Sequence, residues 1–117
     1  MALADTRVLE PGTPTPPARR SEVIDILRRQ ATEIAALGAT GLYLYGSAAR
    51  DELTAESDVD VFIDYDRSPS GALSLIELIK LQNHLARLLS RNVDLTTRQG
   101  LHPLLREEIE RTSIRIF

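Results

Sequence analysis

The stretch from Tyr43 to Asp64 constrains this chain more than any other. An apolar run, Leu42-Tyr43-Leu44-Tyr45, stops at Gly46-Ser47. A polar excursion through Arg50 follows, and a second apolar run opens with Asp58-Val59-Asp60. The first run is continuous rather than alternating, as in a strand covered on both faces. Side chains alternate along a strand, so Asp58 and Asp60 point the same way, about 7 Å apart. Carboxylates so placed repel each other unless a cation lies between them or one is protonated. Mg²⁺ takes a few carboxylates together with water and phosphate oxygens, which is what this pair offers. Two such ions, about 3.5–4 Å apart, would bridge both carboxylates and flank a phosphoryl centre.

Gly46-Ser47 leads from the first strand into a short helix predicted over about residues 47–51. Helix N-termini present unpaired N–H groups and a positive dipole end to anions. Gly46 lets the backbone come close, and the Ser47 hydroxyl adds a donor. Arg50, one turn on, shares the face of Ser47 and can meet a phosphate. A third carboxylate, Asp94, opens a short strand over 92–97 and completes the set if that strand lies beside the second. Each part alone has a plainer reading. Gly-Ser ends many strands, an Asp-x-Asp pair can be solvated carboxylates, and Arg50 can be a surface ion pair of small energy. The fixed order of all the parts, each in a fitting strand context, is far less common.

The remainder is read as scaffold. The chain of 117 residues suits one domain. It has no cysteine, which excludes disulfides and thiolate metal sites. Its net charge of −3 argues against direct nucleic-acid binding. No apolar run approaches the roughly 20 residues of a membrane span, and a cytoplasmic location is expected. Residues 1–18 carry Pro11, Pro14, Pro16 and Pro17 and read as a disordered tail before a domain over 19–117. Helices are predicted over 19–37 (capped by Ser21, stopped by Gly38), over 73–90, and from Pro103 to about Arg111. An edge strand is predicted over 113–117. The apolar stripe of the 73–90 helix is wider than one buried face needs, which marks a candidate partner surface. Arg28-Arg29 reads as a solvated face, His84 as a helix surface residue, His102 as a residue near a helix start, and Tyr43 and Tyr45 as core.

Leu-Tyr-Gly-Ser-Ala-Ala-Arg, then Ser-Asp-Val-Asp-Val-Phe-Ile, then Val-Asp-Leu resembles the minimal nucleotidyltransferases of the polymerase-beta-like superfamily. The resemblance runs from about Val23 to Ile116. Within that superfamily the chain is most similar to the MNT proteins encoded beside HEPN-domain toxins. These act as antitoxins, and some transfer AMP from ATP onto a tyrosine of the toxin. The resemblance implies an α/β (α+β) nucleotidyltransferase-like fold, a small mixed sheet with helices packed on it. It implies Mg²⁺ held by Asp58, Asp60 and Asp94, with Asp94 nearest the attacking oxygen and helping to deprotonate it. Gly46 and Ser47 would hold the β- and γ-phosphates of ATP, and Arg50 would support that loop. A HEPN-type toxin would be the partner, in a hetero-oligomer. The alternative is an antitoxin that neutralises its toxin by binding alone. One position departs from the family pattern, which usually has Gly directly after the Arg; here it is Asp51. Asp tolerates the left-handed backbone region better than most residues. Its charge near a triphosphate is expected to weaken nucleotide binding.

Overall fold

The computed structural model of the chain describes residues 16–68 and 73–117. Its elements run in the order α1 (Arg20–Arg29), α2 (Ala31–Ala36), β1 (Ala39–Tyr45), α3 (Gly46–Ala49), β2 (Val59–Tyr65), α4 (Leu75–Leu89), β3 (Val93–Thr97), a 3-10 turn (Arg98–Gly100), α5 (Arg106–Thr112) and β4 (Ile114–Arg115). The strands make one mixed sheet in the order β3-β2-β1-β4. β1 pairs antiparallel with β2 and β4, while β2 and β3 are parallel. The expected small mixed sheet with helices packed on it is the fold observed.

Register separates the two faces. Leu42 pairs with Ile63 and Leu44 with Val61, while Val61 pairs with Leu95 and Val59 with Val93. This face forms the core with Val23 and Leu27 of α1 and Leu81, Leu85 and Leu89 of α4. The α4 residues recur every fourth position, so they form one stripe against the sheet. Burying each such side chain contributes about 1.5–3 kcal/mol. The other face is covered differently. It carries Tyr43 stacked on Phe62, with ring centroids 4.7 Å apart, and Tyr45 tilted against the same ring. The guanidinium of Arg98 lies 4.8 Å from the Tyr43 ring centre and 5.0 Å from that of Phe62. The apolar run of β1 is therefore covered on both faces, but by different means. Tyr43 and Tyr45 remain half-buried rather than core, and Phe62 is the ring that is fully enclosed.

Several local expectations are corrected. The helix expected over 19–37 is two helices, broken at Gln30. Ser21 lies inside α1 and does not cap it. The first N–H groups meet carboxylates instead: Glu22 Oε1 accepts from Ala18 N and Arg19 N, and Asp51 Oδ1 accepts from Arg20 N at 2.8 Å. Arg28 is not merely solvated, because it donates to the carbonyls of Arg115 and Ile116 and ties α1 to the C-terminal strand. His84 Nε2 is shielded from solvent and has no hydrogen-bond partner among the described residues. α5 starts at Arg106, and Pro103 stands in the turn before it. Of the expected tail, residues 1–15 lie outside the described residues. Pro17 is buried, and its carbonyl accepts from Arg91 Nε at 2.6 Å. Residues 69–72 of the loop after β2 also lie outside the description.

Candidate functional site

Asp60 lies opposite Tyr45 across the antiparallel pair and opposite Asp94 across the parallel pair. Tyr45, Asp60 and Asp94 thus form one row across three strands, on the face that carries the aromatic rings. Asp58 precedes β2 by one residue, and alternation turns it to the same side as Asp60. The condition set on Asp94 is met: its strand is the direct neighbour of the second.

Gly46 begins α3 at the end of β1 with φ of +69°. A Cβ at this position would collide with the Asp60 carboxylate. Gly46 is therefore required twice, by backbone conformation and by the close approach of Asp60. The turn after β1 consequently lies directly against the acidic row. Ser47 follows in the first turn of α3 and is half-buried.

The electrostatics of the row are one-sided. Burial raises the Asp60 pKa from 3.8, Asp94 and Asp58 raise it further, and only Arg50 opposes. Burial, then Asp60, then Asp94 push the Tyr45 hydroxyl up to about 12. Among the described residues no basic side chain forms an ion pair with Asp58, Asp60 or Asp94. Arg50 is exposed and pairs with Glu52 at 2.9 Å, so it acts on Asp60 through space.

These side chains supply the hard oxygen donors that Mg²⁺ takes. Among the described residues no three acidic or histidine side chains are already gathered as a metal set. Mg²⁺ in phosphoryl-transfer sites usually keeps water and phosphate oxygens beside one or two carboxylates, so the donor chemistry fits a site completed by its nucleotide.

One functional-looking cluster has no local sequence signal. Arg98 donates to both oxygens of Asp64, at 2.7 and 2.8 Å, and to Glu110 at 2.8 Å. Its hydrogen bonds hold the Asp64 and Glu110 carboxyls below their ordinary values. This knot fixes α5 to the ring-bearing face. A cleft of about 990 Å³ lies elsewhere, between the 53–57 loop and the end of α4, and none of the expected site residues lines it.

The nucleotidyltransferase domain family matches residues 21–116. The chain belongs to that family. The matched residues include Gly46, Asp60 and Asp94. A Methanocaldococcus jannaschii protein, MJ0126, provisionally named a protein adenylyltransferase, is 38% identical over 98 residues, 82% of this chain and 96% of that protein. A solved structure provisionally named a minimal nucleotidyltransferase superposes with a TM-score of 0.64 at 29% identity, covering 78% of this chain and 93% of that one. A similar fold is found in the MNT antitoxin of a solved complex with a tri-AMPylated HEPN toxin of Shewanella oneidensis. That match has a TM-score of 0.58 at 16% identity and covers 80% of this chain and 71% of that one.

Proposed function

We propose that this nucleotidyltransferase moves AMP from ATP, in the presence of Mg²⁺, to a tyrosine hydroxyl of a HEPN-type toxin, and thereby acts as its antitoxin. The observation that carries the reading is the row Asp60–Asp94, with Gly46 packed against Asp60. The protein acceptor is supported by the M. jannaschii relative's name and by the AMPylated toxin bound to a protein of the same fold.

Asp58, Asp60 and Asp94 would hold Mg²⁺, which supplies charge neutralisation at the triphosphate and its leaving group. The N–H groups at the start of α3 and the Ser47 hydroxyl receive the β- and γ-phosphate oxygens. Arg50 adds positive charge beside that turn. Asp94, at the exposed edge strand, accepts the proton of the incoming hydroxyl. The acceptor oxygen bonds to Pα as the bond from Pα to the bridging oxygen breaks, and pyrophosphate departs with the electron pair. Asp94 is exposed, so an acceptor that arrives on another protein can reach it. Leu75, Ile76 and Ile79 of α4 are 72%, 66% and 48% exposed and offer that partner an apolar surface.

The test is incubation with ATP, Mg²⁺ and a HEPN-type partner, read by intact mass. Steps of one AMP on the partner are expected. They should vanish for Asp58→Ala with Asp60→Ala while circular dichroism stays unchanged. Unchanged partner mass with continued neutralisation would sink the reading in favour of neutralisation by binding alone.

A further inference from the structure

Asp51 stands where nucleotidyltransferases of this kind usually have glycine, and its backbone adopts the conformation a glycine would, φ of +62°. Its side chain does something glycine cannot. Asp51 Oδ1 accepts from the backbone N–H of Arg20, the first residue of α1, at 2.8 Å. The same Arg20 reaches back with Nη1 to the carbonyl of Ala49, the last residue of α3, at 3.1 Å. One residue of α1 therefore grips the Gly46–Asp51 turn at two points, through a donor on its backbone and a donor on its side chain. The turn is also bonded internally: Arg50 N to Gly46 O at 3.2 Å, Asp51 N to Ala48 O at 3.2 Å and Glu52 N to Ser47 O at 2.8 Å.

A four-residue helix is too short to hold its own geometry, because helix nucleation costs more than one turn returns. Its position must be imposed from outside. β1 imposes it at Gly46, and the Arg20 grip imposes it at the far end. We propose that Asp51 is a positioning residue, whose carboxylate locks the phosphate-receiving turn onto the N-terminus of α1 and so sets the affinity for Mg·ATP. The second half of this inference rests on the reading of Gly46 and Ser47 as the phosphate turn. The clamp itself does not. The charge of Asp51 is also spent locally, on an unpaired helix N–H, the end of the helix that favours an anion.

Two variants separate clamp from charge. Asp51→Gly keeps the left-handed backbone allowed and removes the acceptor. Asp51→Asn keeps an acceptor oxygen and tolerates the same φ but removes the charge. Amide hydrogen exchange on the protein without nucleotide reads the clamp directly. In Asp51→Gly the amides of Arg20, Arg50 and Glu52 should exchange roughly five- to tenfold faster, as for loss of one helix cap, with α4 amides unchanged. Asp51→Asn should exchange like the parent protein. In the transfer assay, the KM for Mg·ATP should rise about fivefold in Asp51→Gly with kcat little changed, and Asp51→Asn should restore it. Unchanged exchange in Asp51→Gly overturns the clamp. Tighter Mg·ATP binding in both variants overturns it as well, because charge would then govern the position. If no transfer occurs with the parent protein, the proposed function fails, and the exchange arm still decides the clamp.

Discussion

Asp60 and Asp94 are register partners on the parallel strands β2 and β3, and among the described residues neither carboxylate is paired with a basic side chain. The fold thus holds like charges side by side, a cost that Arg50 offsets only through space. Asp60 carries most of it, since its pKa is raised by burial, by Asp94 and by Asp58. A carboxylate whose folded pKa is raised stabilises the fold fully only below its unfolded value. That contribution is lost as pH rises through the folded value. Asp60→Asn should therefore melt higher than the parent protein at pH 7 without divalent metal, by roughly 1–3 °C after allowance for solvent screening. The difference should close as pH falls below the ordinary carboxylate value of 3.8. Thermal melts at several pH values check this, and a lower melting temperature at pH 7 would contradict it. The same variant should lose transfer activity, so stability and activity move in opposite directions.

Gly46→Ala tests the closeness of the turn to that row. The added methyl meets the Asp60 carboxylate, and the backbone must hold φ near +69° with a Cβ. A loss of about 1–3 kcal/mol is expected from strain and collision together. Adding Asp60→Ala should recover part of that loss, because it removes the atoms in collision, whereas the backbone strain remains. Urea denaturation of the single and double variants measures the coupling. Strict additivity would show that Asp60 is not what the methyl meets.

How much of this was legible in the sequence follows from the range of each interaction. Gly46, Ser47, Asp58 and Asp60 could be read because strand periodicity and a strand-to-helix break are local signals. That Asp94 lies beside Asp60 could be stated only as a condition, since register depends on a parallel pairing made across α4. The grip of Arg20 on Asp51 spans 31 residues and that of Arg98 on Asp64 spans 34. Neither leaves a local pattern. In the sequence, Asp51 therefore signals only a charge near phosphate, and Arg98 carries no signal. The break at Gln30 escaped because the apolar spacing of Val23, Leu27 and Ile34 suits one continuous helix as well as two.

Arg98 is the centre of a polar knot. It binds Asp64 through two parallel hydrogen bonds, reaches Glu110, and covers Tyr43 and Phe62. Arg98→Ala should cost about 2 kcal/mol, from bidentate bonding and ring contact in a half-buried setting. The pH dependence has the opposite sign to that of Asp60. Hydrogen bonds from Arg98 lower the pKa of Asp64 from 3.8 and of Glu110 from 4.5. Their contribution is present above those ordinary values and is lost as pH falls through the lowered ones. The parent protein should lose stability steeply as pH falls below about 4.5, and Arg98→Ala should show a flatter acid limb. Parallel acid limbs would mean that other carboxylates govern acid unfolding.

Asp94 differs from Asp58 and Asp60 in where it stands. It lies on the sheet's edge strand and is exposed, whereas Asp60 lies inside the row against Gly46. In the proposed reaction all three carboxylates hold Mg²⁺, with Asp58 and Asp60 carrying most of the nucleotide affinity and Asp94 also accepting the proton. Asp94→Asn keeps the shape and an oxygen donor but removes the base. Its kcat for transfer to the partner should fall about 10²–10⁴-fold, the usual contribution of a positioned base. Its affinity for Mg·ATP, measured by calorimetry, should stay within about threefold of the parent, a difference under 1 kcal/mol. Asp60→Asn should instead lose both. If Asp94→Asn abolishes Mg·ATP binding as completely as Asp60→Asn does, the three carboxylates act as one metal set and the division between them is wrong.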